Sequence, residues 1–234
     1  MPCNPVVTAR HFAHCFQCLV KEVIKGSGKP IEEVIDFFWR IEFQLRGSPH
    51  VHSLWWIKDA PDLDTKAGSQ SAPEFIDRYI SVQVPDEGCG KDELRSTLLR
   101  VQQHKHTTTC QKTSKKKKEC RFDFPRPLSC ETRLKNNNDV GNKSRFYLLK
   151  RNKGEENINA FNIHLLLAWQ ANMDIQLIGS VYGTASYICS YMCKGESEEV
   201  KKAIRDALNT LPANASIRKK TIQSRQYYAV TSRA

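Results

Sequence analysis

The sequence has no apolar run of about 18 residues, the length that a membrane-spanning helix needs, so no membrane span is expected. Residues 1–12 lack a charged stretch followed by an apolar one, so no secretory signal is expected there. The nine cysteines are an odd number, which with no secretory signal favours thiols or metal ligands over a disulfide framework. These absences predict an intracellular protein that is not secreted.

Positive charge is concentrated in one part of the 234-residue chain. Lys and Arg number 36 against 25 Asp and Glu, a formal net charge of +11. Segment 101–153 alone holds 15 basic and 4 acidic residues and therefore carries the whole surplus. Such a segment is typical of nucleic-acid contact, but a solvated loop has the same composition, so charge alone leaves both interpretations open. We expect one domain over residues 1–234, with a basic insertion at residues 85–145.

The apolar pattern near the start of the chain predicts a helix followed by a β-hairpin. Helical spacing favours an amphipathic helix over Pro5–Lys25. Alternation over Phe37–Leu45 and His50–Ile57 predicts two strands, with the five residues Leu45–Pro49 as the hairpin loop. Residues 58–75 are loop-like in composition, and a short helix is predicted over Glu74–Val82.

Two histidines of the second predicted strand are candidate metal ligands. His50 and His52 are two residues apart, so their side chains leave the strand on the same face. The expected loop places Gln44 opposite His50 and Glu42 opposite His52, and a mixed nitrogen and oxygen set suits Mg²⁺ or Mn²⁺ near a phosphate. Taken alone, two half-exposed strand histidines are commoner than a metal site, and a one-residue slip would turn the oxygen donors away.

A second candidate site lies in a helix predicted over Gly183–Lys194. Residues four apart share a helix face and a residue three further on continues it, so Tyr187, Tyr191 and Lys194 form one row. In isolation, tyrosines packed over a core edge beside a solvated lysine are the simpler explanation of this pattern.

Together the two patterns resemble the HUH endonuclease superfamily and, within it, the two-tyrosine Rep domain of Helitron transposons. The resemblance rests on residues 42–52 (EFQLRGSPHVH), followed far downstream by Tyr-x-x-x-Tyr-x-x-Lys. Further stretches occur in the family's order at residues 38–41 (FWRI), 103–110 (QHKHTTTC), 120–125 (CRFDFP) and 169–176 (WQANMDIQ). The similarity extends over roughly residues 4–200.

The resemblance implies an α+β fold: a mostly antiparallel sheet of the HUH/Rep type with the histidine strand at its centre, flanking helices and the basic insertion. It also implies a metal-dependent endonuclease and strand transferase that acts on single-stranded DNA at transposon ends, as in rolling-circle transposition. In a eukaryotic source, such a protein would act in the nucleus.

The resemblance further assigns roles to the candidate residues. His50, His52 and Gln44 would hold Mg²⁺ or Mn²⁺ on the scissile phosphate. Tyr187 and Tyr191 would both be nucleophiles that form 5′-phosphotyrosine bonds. Lys194 or the field of the metal would favour the phenolate form of the attacking tyrosine.

Inside the basic insertion, a stretch of seventeen residues contains four soft or borderline metal ligands: His104, His106, Cys110 and Cys120. They could form a structural Zn²⁺ site away from catalysis. Cys89 or Cys130 could replace either histidine. Scattered surface residues would give the same pattern, so both interpretations stay open.

Arginines near these motifs, Arg46, Arg121 and Arg126, are candidate DNA contacts. Phe122 and Phe124 would serve base stacking equally well in a single-stranded DNA-binding module that no longer cuts, which is the alternative function. A non-functional transposon remnant is a third interpretation. The two histidines and two tyrosines favour the enzyme, because binding alone needs neither pair.

The Helitron resemblance also carries expectations about neighbouring segments. Family members have a strand before their first helix, so we expect the domain to be incomplete at its N-terminus. They also carry a helicase domain in the same polypeptide, which the printed sequence does not contain.

Overall fold

The computed structural model describes residues 4–43, 49–108, 110–113, 118–136, 139, 146–179, 202 and 206. The chain divides into one unit of Met1–Phe16, Val34–Lys58 and Ile178–Ala234, and a second of Gln17–Glu33 and Asp59–Leu177. Helices combined with small antiparallel sheets confirm the predicted α+β class. No helix among the described residues has the length and apolar character to cross a membrane.

The chain begins with a long helical stretch, as predicted. Helix α1 spans Pro5–Cys18 and continues as a π-helix over Leu19–Ile24. The Asn4 side chain accepts a hydrogen bond from the backbone N–H of Val6 at 3.0 Å, which satisfies one of the unpaired donors of the first turn. Within the first unit, the Phe16 ring meets the Trp39 ring edge-on, with centroids 5.2 Å apart.

The predicted hairpin is present but its register differs from the prediction. Strand β1 (Val34–Phe43) pairs with strand β2 (Pro49–Ile57), with Glu42 opposite His50 and Arg40 opposite His52. The expected pairing of Glu42 with His52 is therefore wrong by two residues. The pair next to the hairpin loop is Phe43 with Pro49. A proline is tolerated there because, as the first residue of a strand, its missing N–H breaks no ladder bond.

A shift of two residues keeps every side chain on its predicted face of the hairpin. Glu42, His50 and His52 therefore still share one face, opposite to that of Trp39. Residues 44–48, which join the strands and include Gln44 and Arg46, lie outside the described residues.

Three two-stranded antiparallel sheets make up the described sheet structure. Besides β1–β2, strand β3 (Gln111–Thr113) pairs with β4 (Lys118–Cys120), and β5 (Arg133–Leu134) pairs with β6 (Tyr147–Leu148). Within the described part of the chain, β2 pairs with β1 alone, so the central position expected for it is not seen there. The specific HUH/Rep sheet stays a prediction.

Two helices of the second unit correct the prediction. Helix α2 spans Lys66–Tyr79, where most residues were expected to form a loop. The Thr65 side chain caps the start of this helix by accepting a hydrogen bond from the Gly68 N–H at 3.0 Å. Helix α3 spans Asp92–Val101, inside the basic insertion predicted at residues 85–145, where no helix was predicted. With helix α4 (Ile163–Trp169), these helices surround a core of side chains with no exposed surface: Ile76, Leu98, Phe161 and Leu166.

Candidate metal and DNA-contact sites

The first candidate site is the histidine-bearing face of the β1–β2 hairpin. The rings of His50 and His52 have centroids 5.4 Å apart. Oε2 of Glu42 lies 3.3 Å from Nε2 of His52, and these two side chains are only 17% and 14% exposed. Two imidazoles and a carboxylate thus lie side by side on one face, at the end of the hairpin next to residues 44–48.

Arg40 is a residue of this face that the sequence reasoning did not single out. It lies directly opposite His52 in the hairpin and is half-buried. The alternation of Phe38, Arg40 and Glu42 was the signal that could have found it, because every second residue of a strand shares a face. A guanidinium on the same hairpin face as two imidazoles adds a group suited to a phosphate oxygen.

The second candidate site is the His/Cys cluster, which we define as His104, His106, Cys110 and Cys120. One ligand atom from each residue lies within 4.8 Å of all the others. Within the described residues this is the one group of three or more His, Cys, Asp or Glu ligands that meets this spacing. Neither Cys89 nor Cys130 belongs to it, so the structure favours both histidines over those substitutes.

The distances within the His/Cys cluster suit a tetrahedral metal ion. Sγ of Cys120 lies 3.4 Å from Nε2 of His104, and Sγ of Cys110 lies 3.6 Å from Nδ1 of His106. A tetrahedral zinc ion with Zn–S near 2.3 Å and Zn–N near 2.0–2.1 Å separates such atoms by about 3.6 Å. Two donor pairs thus lie at the spacing of ligands around one ion, and all four donor atoms lie within 4.8 Å of one another.

Local structure holds the two cysteines of the cluster in place. Pairing of β3 with β4 sets Gln111 opposite Cys120, so the two cysteines lie close together in space although they are far apart in the sequence. The backbone N–H of Thr107 donates to Sγ of Cys110 at 3.2 Å, and Sγ donates to the Thr107 carbonyl oxygen at 3.2 Å. Cys110 is 2% exposed, so its sulfur is largely shielded from solvent.

His104 is tied to the core of the second unit. Its backbone N–H donates to the carbonyl oxygen of Asn157 at 2.7 Å, next to Ile158, which is 1% exposed. Burial lowers the pKa of the His104 imidazole below its usual value, and the charges of His106 and Arg126 lower it further. The ring is therefore neutral near pH 7, the protonation state in which imidazole binds a metal.

The predicted DNA-contact arginines of the second unit lie beside this cluster. The guanidinium carbon of Arg121 is 4.5 Å from the centroid of the Phe122 ring. That of Arg126 is 4.8 Å from the centroid of the Phe124 ring. The remaining predicted site residues lie outside the described residues: Gln44, Arg46, Tyr187, Tyr191 and Lys194.

Residues 2–55 match the family model of the Helitron helicase-like domain at the N-terminus. The matched segment includes helix α1 and the hairpin as far as His50 and His52, and it confirms the predicted Helitron resemblance over those residues. It points to a transposon-related function and to interaction with nucleic acid. No curated protein and no solved structure matches the chain.

Proposed function

We propose that this protein is a metal-dependent endonuclease and strand transferase that cuts single-stranded DNA through 5′-phosphotyrosine intermediates, as in rolling-circle transposition. The observation that carries the proposal is the face shared by Glu42, His50 and His52, which lies in the segment that matches the Helitron model. The alternative, a module that binds single-stranded DNA without cutting it, needs no pair of imidazoles beside a carboxylate.

By residue type, the donor set on the hairpin suits a hard or borderline divalent cation, although its three groups do not come within the spacing that unites the His/Cys cluster. Two imidazole nitrogens and a carboxylate oxygen are ligands that Mn²⁺ accepts and Mg²⁺ tolerates, and Gln44 is a further oxygen donor by sequence. When bound, the cation would neutralise and orient the scissile phosphate. Arg40, on the same face, would contact a phosphate oxygen and so help to hold the strand in line.

In the proposed cleavage step, the phenol oxygen of Tyr187 or Tyr191 attacks phosphorus, and the bond from phosphorus to the 3′ oxygen breaks. The 5′ phosphate stays on the tyrosine, and the 3′ oxygen leaves as a hydroxyl after taking a proton. An ordinary phenol has a pKa of about 10, so the ammonium group of Lys194 would favour the attacking phenolate. These assignments rest on the resemblance.

For the His/Cys cluster, we propose a structural Zn²⁺ site. Two sulfurs and two imidazole nitrogens form a complete tetrahedral set, which leaves no open position for a substrate. Such closed sites stabilise short segments that have little core of their own. The cluster would hold strands β3 and β4 against the rest of the second unit, apart from the cleavage chemistry.

The enzyme hypothesis is tested by covalent adduct formation between the full chain and labelled single-stranded DNA, read on a denaturing gel with Mn²⁺ or EDTA. His50→Ala and His52→Ala should each reduce the adduct about 100-fold or more, because the metal is worth several kcal/mol in such reactions. His164→Ala, which changes an exposed histidine of α4, is the matched control. Equal adduct in EDTA would remove the metal from the mechanism.

The tyrosine assignment needs a separate pair of variants. Tyr187→Phe combined with Tyr191→Phe should abolish the adduct and leave DNA binding nearly unchanged, because phenylalanine keeps the ring and lacks the oxygen. Tyr182→Phe is the control in the same part of the sequence. Adduct in the double variant would show another nucleophile. DNA binding by the wild-type chain with no adduct in any metal would favour the non-cutting module.

A further inference from the structure

A row of aromatic and cationic side chains leads from the surface to the His/Cys cluster. The Phe122 side chain is 45% exposed, and Arg121 lies over its ring. The His104 ring meets Phe122 edge-on at 5.8 Å and stacks on Phe124 at 4.4 Å, with 12° between the ring planes. Arg126 lies over Phe124, which is only 6% exposed. Phe122 is therefore the exposed end of a row that leads through His104 to the buried Phe124.

Two candidate metal ligands lie close to Phe122: Cys120 two residues before it and His104 against its ring. Sγ of Cys120 is 3.4 Å from the imidazole of His104, so an ion bound between them would hold both residues. Phe122 follows Cys120 by two residues, and the backbone N–H of Asp123 donates to the Cys120 carbonyl at 3.0 Å in a tight turn. A metal bound to Cys120, at the start of this turn, would restrict the motion of the exposed Phe122 ring.

The charge around this row is complementary to a nucleic-acid backbone. Besides Arg121, the row includes Arg126, which also lines a small pocket together with Lys135. An exposed aromatic ring among cations suits single-stranded DNA or RNA, because every base offers a face for stacking and every linkage carries a negative charge.

We propose that Phe122 is a stacking platform for an unpaired base of single-stranded DNA, with Arg121 and Arg126 contacting the flanking phosphates. The metal of the His/Cys cluster holds this platform in place. The inference rests on the proposed function only for the identity of the substrate, and no cleavage step enters it.

Fluorescence anisotropy with the full chain and a labelled oligothymidylate of about 16 nucleotides tests the platform. The experiment contains no added Mg²⁺ or Mn²⁺, so its result does not depend on cutting. Phe122→Ala should raise the Kd about 5- to 100-fold, the usual effect of removing one stacking ring. Leu128→Ala, which truncates an apolar side chain that is 51% exposed, should leave the Kd unchanged. Equal Kd values for the two variants would overturn the proposal.

Two further variants separate stacking from loss of local structure. Phe122→Tyr keeps a flat ring and should bind like the wild type, whereas Phe122→Leu keeps apolar bulk without a ring and should bind like Phe122→Ala. Zinc content, measured on each variant, shows whether the cluster has survived. Wild-type affinity in Phe122→Leu would overturn the proposal. An equal Phe122 effect with fully paired DNA would do so too, since a duplex presents no free base face within its length.

The role of the metal is tested by combining Phe122→Ala with Cys110→Ser and Cys120→Ser. If the metal positions the platform, removing the ring from the metal-free protein should change the Kd much less than it does in the wild type. A full effect of Phe122→Ala without the metal would show that the turn alone holds the ring, and would overturn this part of the proposal. Absence of a covalent adduct in the cleavage assay would contradict the proposed enzyme but leave these binding results intact.

Discussion

Replacing Cys110 and Cys120 together by serine should release the Zn²⁺ proposed for the His/Cys cluster while the core of the second unit stays folded. Serine is nearly as large as cysteine, so packing around the buried Cys110 changes little. What the double variant loses is two of the four ligands, and a hydroxyl is a poor replacement for a thiolate on zinc.

The expected loss of stability is local and large. Strands β3 and β4 have three residues each, and a two-stranded hairpin is at best marginally stable by itself. A metal at a free concentration about 1,000-fold above its Kd stabilises the state that binds it by about 4.1 kcal/mol. When the metal is lost, local unfolding of residues 104–124 should therefore become about 1,000-fold more frequent.

Two measurements check this prediction. Elemental analysis should find about one Zn²⁺ per wild-type chain and none in the double variant. Hydrogen exchange should lose protection in peptides from residues 104–124 and keep it around Phe161, which has no exposed surface. The matched control is Cys89→Ser with Cys130→Ser, because both of these cysteines are exposed and lie outside the cluster.

Two results would refute the reasoning about the cluster. Purified wild-type protein without zinc, with exchange that EDTA does not change, would make the four ligands ordinary side chains packed together. Loss of zinc in the Cys89 and Cys130 variant would assign the ligands to those cysteines.

Two substitutions test the second unit. Gly68→Ala should lower the Tm although alanine favours helices by about 1 kcal/mol, because its Cβ would lie 1.9 Å from the carbonyl oxygen of Asp62. Gly28→Ala, where a Cβ meets nothing within 4 Å, should leave the Tm unchanged, and an equal Tm in both variants would contradict this account. Asn162→Ala should cost about 1–3 kcal/mol in urea unfolding, since it removes two donations to carbonyl oxygens and the cap of α4. A loss below about 0.5 kcal/mol would show that water replaces those bonds.

The hairpin could be predicted from the sequence, but its register could not. Alternation of apolar and polar residues reports which face a side chain occupies, and it placed Glu42 on the face of His50 and His52 correctly. A shift of two residues leaves that pattern unchanged, so only the turn and the position of Pro49 distinguish the two pairings.

Helix α3 was predictable in principle and was missed. Leu94 and Leu98 are four residues apart and buried, and Asp92 and Glu93 lie in the first turn, where the helix dipole favours them. Because residues 85–145 are rich in positive charge, we assigned this stretch to one basic insertion and predicted no helix in it. Composition over a long window hides a short periodic pattern inside it.

The members of the His/Cys cluster were predicted by residue type, whereas their convergence required the structure. Nine residues separate Cys110 from Cys120, more than the two to four between paired cysteines of common zinc sites. Pairing of β3 with β4 removes this separation. Two three-residue strands that flank a lysine run give too weak a pattern for sequence analysis to detect.

If the β1–β2 hairpin holds the proposed cation, Glu42→Gln should weaken Mn²⁺ binding there without unfolding the hairpin. The carboxylate lies 3.3 Å from the imidazole of His52 and both side chains are mostly buried, so its charge acts on the site either as a ligand or by orienting His52. Glutamine keeps the shape and removes the charge, and such losses lower metal affinity about 10- to 100-fold. Electron paramagnetic resonance of free Mn²⁺, titrated against the full chain, measures the Kd, with the exposed Glu87→Gln as the control. If Glu42→Gln binds Mn²⁺ as tightly as the wild type while His50→Ala does not, the oxygen donor is another residue and the contact between Glu42 and His52 has no part in metal binding.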